Sequence, residues 1–262
     1  MMSTHLRSLL KIFLLFINLA ALSACASLPG GPTEGDPFES YNRAMFSFND
    51  GLDEYLLRPV AEGYDAVLPS PVKTGVSNFF SNIGDLFVIL NDILQFKFAQ
   101  AVSDTARFIV NSTIGLYGLI DVSTELGLPK HNEDFGQTLA VWGVTDGPYI
   151  VLPLFGPRTM RGAVGFVAES SIDPVNDIED DTKRYSTIVL RTIDTRYKLL
   201  QASRIVDQAA IDKYSFVRDA YLQTRKNLIY DGNPPEEKQK APPKATSEDL
   251  ELEDALEKEL GL

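Results

Sequence analysis

The chain has 262 residues, a formal net charge of −12 at neutral pH and a single cysteine, Cys25. Such an acidic protein is a poor binder of nucleic acid, whose phosphates require Lys and Arg, and its bulk charge does not draw it to anionic lipid. One cysteine excludes an internal disulfide and a cysteine-based metal site.

The N-terminal segment has the pattern of a secretory leader. Arg7 and Lys11 are its only charges, and an almost uninterrupted apolar run follows from 12 to 22. That run is too short to cross a bilayer, which takes about 20 apolar residues, but suits a signal-peptide core. Small residues then precede Cys25, the residue that bacteria acylate. We predict a lipoprotein signal peptide over 1–24 and acylation of Cys25; the alternative is an ordinary signal peptide with a chance cysteine.

The residues after the cysteine indicate an address. Ala26 and not Asp follows Cys25, which by the sorting rule of enteric bacteria favours the outer membrane. Residues 25–37 are rich in Gly and Pro and are predicted to be a short acylated tether. A diacyl or triacyl cysteine anchors firmly, because stable anchoring takes two or more signals. The predicted location is therefore the periplasmic face of the outer membrane.

Helical periodicity begins after the tether. The first helix is predicted to open at Asp36-Pro37 and to be interrupted at Arg58-Pro59, and Pro69-Ser70-Pro71 breaks the chain again. Its apolar positions recur at steps of three and four: Tyr41, Met45, Phe48, Leu52 and Tyr55.

The middle of the chain is unusually apolar. From Leu86 to Phe98, nine of thirteen residues are apolar. A helix that is apolar nearly all round is either buried in a large core or faces lipid, and the pattern leaves both open. The segment from Gly147 to Pro157 cannot be a long helix because it contains three prolines. It is predicted to be irregular backbone, lying in a core or lining a cavity.

The last third predicts two amphipathic helices, the second ending near Asp231-Gly232. The arginines on their polar faces are expected to be solvated: Arg191, Arg196, Arg204, Arg218 and Arg225. Residues 233–262 are predicted to be a disordered acidic tail, in which 246–260 has the pattern of a marginal helix. Because strand signals are few, the fold is predicted to be all-α.

Residues capable of catalysis are scarce. A Ser-His-Asp hydrolase would have to use His131, which lies in a polar loop sequence, and no Gly-x-Ser-x-Gly motif is present. The carboxylates from Asp177 to Asp181 are a candidate weak calcium site, but they lack EF-hand spacing and favour a helix start. We therefore predict no catalytic residue, no metal and no cofactor.

Four groups of residues follow one another between 36 and 232. The first is Asp36-Pro37-Phe38-Glu39, Asn42-Arg43, Phe46 and Phe48-Asn49; the second is Arg107-Phe108, Asn111-Ser112-Thr113, Gly115, Gly118 and Asp121. The third is Asp134-Phe135-Gly136-Gln137-Thr138-Leu139, Trp142-Gly143-Val144, Gly147-Pro148-Tyr149 and Leu152-Pro153; the fourth is Asp212-Lys213-Tyr214-Ser215 and Arg218-Asp219-Ala220-Tyr221. They resemble the motifs of MlaA, also called VacJ, a family of phospholipid-binding outer-membrane lipoproteins. Two positions depart from the pattern: Arg158 stands where the family often has Ser, and Gly162 where it often has Asp.

The resemblance implies a function for residues 38–232. It implies a ring-like helical body with a central channel, seated in the inner leaflet of the outer membrane, that removes misplaced phospholipids from the outer leaflet. The implied partners are phospholipid, a periplasmic Mla lipid carrier and a trimeric outer-membrane porin. The alternative is an envelope scaffold that bridges porins and periplasmic partners without transport. Candidate channel or gate residues are Gly147, Pro148, Tyr149, Pro153, Gly156, Pro157 and Arg161.

Overall fold

A computed structural model describes residues 36–235. The predictions for the signal peptide, Cys25, most of the tether and the acidic tail lie outside these residues. Within them the chain is mainly helical, as predicted. The elements in chain order are α1 Glu39–Leu52, a π-helical turn Asp53–Leu57, α2 Arg58–Val67, α3 Ser70–Leu94, α4 Phe98–Thr113, α5 Val122–Glu125, α6 Phe135–Val141, β1 Tyr149–Leu152, β2 Gly156–Thr159, α7 Met160–Ser171, a 3₁₀ turn Pro174–Asp177, α8 Asp181–Lys198, α9 Leu200–Ala209 and α10 Lys213–Ile229.

Proline shapes the first third of the chain in two ways. Leu68 and Pro69 are extended, so the predicted break at Pro69 is confirmed, and α3 begins at Ser70. The predicted interruption at Arg58-Pro59 is wrong, because helical backbone continues through both residues. A π-helical turn from Asp53 to Leu57 precedes the proline and absorbs the missing N–H and the ring clash.

The apolar stripe predicted for the first helix faces a core only in part, where Met45 packs against the cluster of Tyr149, Val151 and Tyr214. Phe48 and Tyr55 are exposed, and the buried residue of α1 is Asn42. The periodicity correctly predicted a helix, but the most deeply buried side chain of this helix is the polar Asn42, whose hydrogen bonds are described below.

α3 and α4 pack with their polar residues inside. The buried side chains at the end of α3 include Asp85, Asn91 and Asp92, which recur at helical spacing. The exposed side chains of the same stretch are apolar: Leu86, Leu90, Ile93, Phe96 and Phe98. This is the reverse of an ordinary core helix. The helix ends at Leu94, after which Phe96 takes a φ of +63° and is 73% exposed.

No helix within residues 36–235 combines the length and the apolar character needed to cross a membrane.

The segment from Gly147 to Pro157 is not irregular throughout. β1 and β2 pair antiparallel, with Tyr149 opposite Thr159 and Leu152 opposite Gly156. The expectation that the prolines exclude a long helix holds. The strands form because Pro153 lies in the turn and Pro157 occupies a two-stranded sheet, where a missing N–H is tolerated.

Several helices begin at a side chain that accepts from a backbone N–H, as N-caps do. Asp134 caps α6, Thr159 caps α7, Asp180 caps α8 and Asp212 caps α10. The interpretation of the 177–181 carboxylates as a helix start is therefore confirmed. In the part of the chain that the structure describes, no three His, Cys, Asp or Glu residues are grouped to hold a metal ion.

Both predicted C-terminal helices are present, as α8 and α10. A further helix, α9, lies between them and begins at Leu200. The stop near Asp231-Gly232 is confirmed, and both residues have positive φ. The prediction that the arginines here are solvated is wrong for most of them. Arg196 is buried against Asp53, and Arg225 pairs with Asp134 from another element. Arginine forms such pairs readily because its planar fork matches a carboxylate.

Candidate functional site

Two asparagines of α1 hold the β-hairpin. Asn42 and Asn49 lie two turns apart and so share a face of the helix. Asn42 Nδ2 donates to the Tyr149 carbonyl at 3.1 Å, and its Oδ1 accepts from Val151 N at 2.9 Å. Asn49 Nδ2 donates to Leu152 O at 2.9 Å, and its Oδ1 accepts from Leu154 N at 2.8 Å. Each amide thus bonds one carbonyl and one N–H, as a neighbouring strand would.

Asp36 fixes the orientation of Asn42 from behind. Its side chain is fully buried, and its Oδ1 accepts from Asn42 Nδ2 at 2.9 Å. The Tyr214 hydroxyl donates to the other oxygen, and the Arg218 guanidinium lies 3.6 Å away. Burial and the bond to Asp36 raise the pKa of Tyr214 well above its usual value. The phenol therefore stays protonated and remains a donor.

Aromatic rings pack together where α1, β1 and α10 meet. The Tyr149 ring lies 6.3 Å from that of Tyr214 and 6.1 Å from that of Tyr221, and Phe46 meets Tyr214 edge-on at 5.8 Å. The Arg43 guanidinium stacks 4.5 Å above the Tyr214 ring and pairs with Asp212. The first and fourth sequence motifs thus meet at the base of the hairpin.

The candidate gate residues occupy three different settings. Tyr149 is core, whereas Pro153 is exposed at the tip beside Leu154 and Phe155, which are exposed too. Gly147 and Gly156 bound the hairpin with φ of +64° and +74°, and Pro148 and Pro157 are half-buried beside them. Arg161 is buried on α7, where it donates to the Val144 carbonyl at 2.7 Å and pairs with Asp146. The structure therefore brings most of them into one hairpin, with Arg161 tying down the loop before it.

The third motif forms a close helix crossing next to the hairpin. A Cβ on Gly165 of α7 would lie 2.5 Å from the backbone nitrogen of Gly136 on α6, so the two backbones touch. Asp134 caps α6 and binds Arg225 of α10 through both oxygens. Burial alone would raise the pKa of Asp134, but the Arg225 guanidinium outweighs it and holds the pKa below its usual value. Phe135 packs edge-on against Trp142 at 5.9 Å.

The second motif forms a separate cluster that holds the 114–120 loop. Asn111 Nδ2 and Arg107 Nη2 both donate to the Asp121 carboxylate. Arg107 Nη1 donates to the hydroxyl of Thr124, which lies in the turn that Asp121 caps. Burial opposes ionisation of Asp121, but hydrogen bonds from the Thr124 hydroxyl and N–H, together with those from Asn111 and Arg107, lower its pKa to about 2. The loop they brace is apolar and exposed, with Tyr117 in the left-handed region at φ +60°.

A buried acidic pair lies between α3 and α4. Asp92 and Asp104 are both fully buried, and Asp104 Oδ2 lies 2.8 Å from His131 Nδ1. Burial, followed by the neighbouring Asp104 carboxyl group, raises the pKa of Asp92 to about 8. Asp92 is therefore mostly protonated at neutral pH. The pair was not predicted from the sequence, although Asp85, Asp92 and Gln95 recur at the spacing of one helix face.

His131 lies in the predicted polar loop and is partly buried, with 29% of its side chain exposed. Its ring is held by Asp104, and among residues 36–235 no serine hydroxyl hydrogen-bonds to it. A hydrolase of this type needs its serine on the ring nitrogen opposite the carboxylate. The arrangement around His131 is that of a partly buried polar contact between the loop and α4.

The chain was compared with known proteins. A family model described as MlaA lipoprotein matches residues 34–228. The intermembrane phospholipid transport system lipoprotein MlaA of Escherichia coli K12 is 35% identical over 230 residues, 85% of this chain and 90% of that protein. The protein of the same name from Haemophilus influenzae is 29% identical over 234 residues, 86% and 93% of the two chains. A chain solved in work on the structural basis for maintenance of bacterial outer membrane lipid asymmetry has a TM-score of 0.64 and 33% identity, over 76% of this chain and 99% of that one.

Proposed function

Because this chain belongs to the MlaA lipoprotein family, we propose that it removes misplaced phospholipids from the outer leaflet of the outer membrane and passes them to periplasmic carriers. The observation that carries the proposal is the reversed packing of α3 and α4. Many of their outward side chains are Leu, Ile, Val and Phe, and most of their buried side chains are polar or charged, chiefly Asp and Asn. Large exposed apolar surface marks contact with a membrane or a partner, and polar groups face the interior of a body placed in lipid.

The energetics of lipid transfer fit such a body. A phospholipid leaving a bilayer exposes its chains at about 0.8 kcal/mol per CH₂, which sums to the order of 20 kcal/mol for two chains. Its charged headgroup is costly to bury in hydrocarbon. A ring-like helical body with a polar channel lowers the cost for the headgroup, and a periplasmic Mla carrier shelters the tails. The hairpin from Gly147 to Pro157 is the proposed wall or gate of this channel.

The proposal includes an anchor and a second partner. Acylation of Cys25 holds the chain at the inner leaflet of the outer membrane, where the exposed apolar residues of α3 and α4 enter the lipid. A trimeric porin is the proposed partner that keeps the body at a site where both leaflets are reachable. The acidic tail, residues 233–262, stays on the periplasmic side.

A complementation experiment tests the function. In a strain that lacks the gene, phospholipid accessible to added phospholipase on intact cells is expected to rise, and the wild-type gene is expected to restore it. Gly147→Val should fail to restore it, because Gly147 has φ +64° and a Cβ there would lie 3.0 Å from Met160. Gly63→Val, on an exposed helical surface with nothing within 4 Å, is the matched control.

Two outcomes would contradict the proposal. An unchanged outer leaflet in the deletion strain removes the transport function. Restoration by Gly147→Val, with porin still co-purifying, favours the non-transporting scaffold, which needs no particular hairpin geometry.

The anchor has its own test. Cys25→Ser protein is expected to leave the outer-membrane fraction and to lose radiolabelled palmitate. In detergent it should keep the wild-type circular dichroism spectrum and its bound phospholipid, because residues 36–235 carry the fold. If Cys25→Ser protein still fractionates with the outer membrane and still takes up label, the lipoprotein assignment is wrong.

A further inference from the structure

A small charged cavity lies beside the hairpin. It measures about 150 Å³ and is lined by residues of the α6 cap, β2, α7 and α10, among them Asp134, Arg158, Phe166, Glu169, Tyr221 and Arg225. We call it the Arg158 cavity. Gly162 keeps it open, because a Cβ there would lie 3.2 Å from the Tyr221 hydroxyl. Typical sites for drug-sized ligands occupy roughly 300–1,000 Å³, so this cavity has room for a group the size of a lipid headgroup but not for acyl chains.

The cations of the cavity are not equivalent. Arg225 is neutralised by both oxygens of Asp134. Arg158 lies over the Phe166 ring at 4.9 Å and donates to the carbonyl of Pro157, its own neighbour. Within residues 36–235 no carboxylate forms an ion pair with Arg158, so its remaining N–H groups are available to a ligand.

The remaining polar groups add one donor and one acceptor. The Tyr221 hydroxyl accepts from Thr159 N at 3.2 Å and keeps its proton to donate. Glu169 Oε1 accepts from Phe135 N at 2.7 Å and Asn91 Nδ2 at 3.0 Å. Its second oxygen takes no hydrogen bond from the described residues. The cavity is thus lined by a guanidinium without a carboxylate partner among the described residues, a phenol and a carboxylate oxygen.

We propose that the Arg158 cavity binds a zwitterionic lipid headgroup of the phosphoethanolamine type. The phosphate oxygens accept from Arg158 and Tyr221, since guanidinium forks match phosphate geometry. The ammonium group donates to the free oxygen of Glu169. The inference rests on the proposed function and names the lipid that the site prefers. Arg158 and Gly162, the two departures from the family pattern, both line this cavity. Arg158 in place of Ser adds a positive charge, and Gly162 in place of Asp removes a negative one.

The experiment titrates full-length purified protein with glycerophosphoethanolamine, glycerophosphoglycerol, inorganic phosphate and ethanolamine by calorimetry. Glycerophosphoethanolamine should bind at least tenfold more tightly than each of the other three. Arg158→Ser should weaken it at least tenfold, with partial recovery in Arg158→Lys. Glu169→Gln should weaken glycerophosphoethanolamine selectively and bring it level with glycerophosphoglycerol. Arg204→Ser, at an exposed arginine of α9, is the control and should change nothing.

The outcomes separate the inference from the function. Equal affinity for inorganic phosphate, or unchanged binding in both Arg158→Ser and Glu169→Gln, overturns the headgroup assignment. Mass spectrometry of the co-purified phospholipids is run on the same preparations, and the ethanolamine share should fall in Glu169→Gln. Wild-type protein that carries no phospholipid contradicts the transport function, while the titration with soluble headgroups still decides the cavity.

Discussion

Asn42→Ala is expected to lower the free energy of unfolding by roughly 3 kcal/mol or more. The amide of Asn42 bonds three groups, on Asp36, Tyr149 and Val151, and all three residues are buried. A buried donor or acceptor left without a partner costs about 1–3 kcal/mol, and water has little access to this site. The loss should appear as a lower midpoint in urea denaturation of the detergent-solubilised protein.

Two variants calibrate this effect. Asn49→Ala should cost less, because its bonds lie at a half-buried position near the exposed tip of the hairpin. Ser47→Ala, at an exposed position of the same helix, should stay within about 0.5 kcal/mol of the wild type. Equal midpoints for Asn42→Ala and Ser47→Ala would mean that the hairpin is held by something other than the amide.

Asp92→Asn is expected to change how stability depends on pH. The pKa of Asp92 in the fold is about 8, against an ordinary value of 3.8, chiefly because the group is buried. A raised carboxyl pKa stabilises the fold fully below about pH 4, and that stability is lost as the pH rises through 8. The groups that face Asp92 are Asp104, Glu133, Lys97 and, through Asp104, His131.

The wild type should therefore lose stability between about pH 4 and 8, and Asp92→Asn should lose less. The difference between the two proteins should be fully developed at pH 9, where Asp92 is ionised. The measurement is the unfolding midpoint at five pH values for both proteins. Asp181→Asn, at an exposed carboxylate, should follow the wild type. Parallel profiles for Asp92→Asn and the wild type would contradict the raised pKa of Asp92.

The sequence predicts the helical class because proline and glycine mark its boundaries. Pro69 ends one helix and Gly232 follows the last, and both positions were predictable from backbone preferences alone. The four motif groups contain residues that meet in the structure, such as Asp36 and Tyr214. Their meeting could not be derived from spacing, since the two are 178 positions apart.

Burial was much harder to predict. Asn91 and Asp92 interrupt an apolar run, and such a pattern does not reveal which medium touches the apolar side. Arg196 and Arg225 have the spacing of a solvated face, yet their carboxylate partners come from distant elements. Arg158 has no carboxylate partner among residues 36–235, and the spacing of residues in the sequence could not predict this.

The attachment of the hairpin through Asn42 and Asn49 has a consequence for how this protein can change over time. The asparagines hydrogen-bond to main-chain N–H and C=O groups, which are the same whichever side chain the residue carries. Side chains at the exposed tip, such as Leu154 and Phe155, are therefore under little constraint from folding. Selection can alter the tip to suit a different lipid or partner and leave its mounting intact.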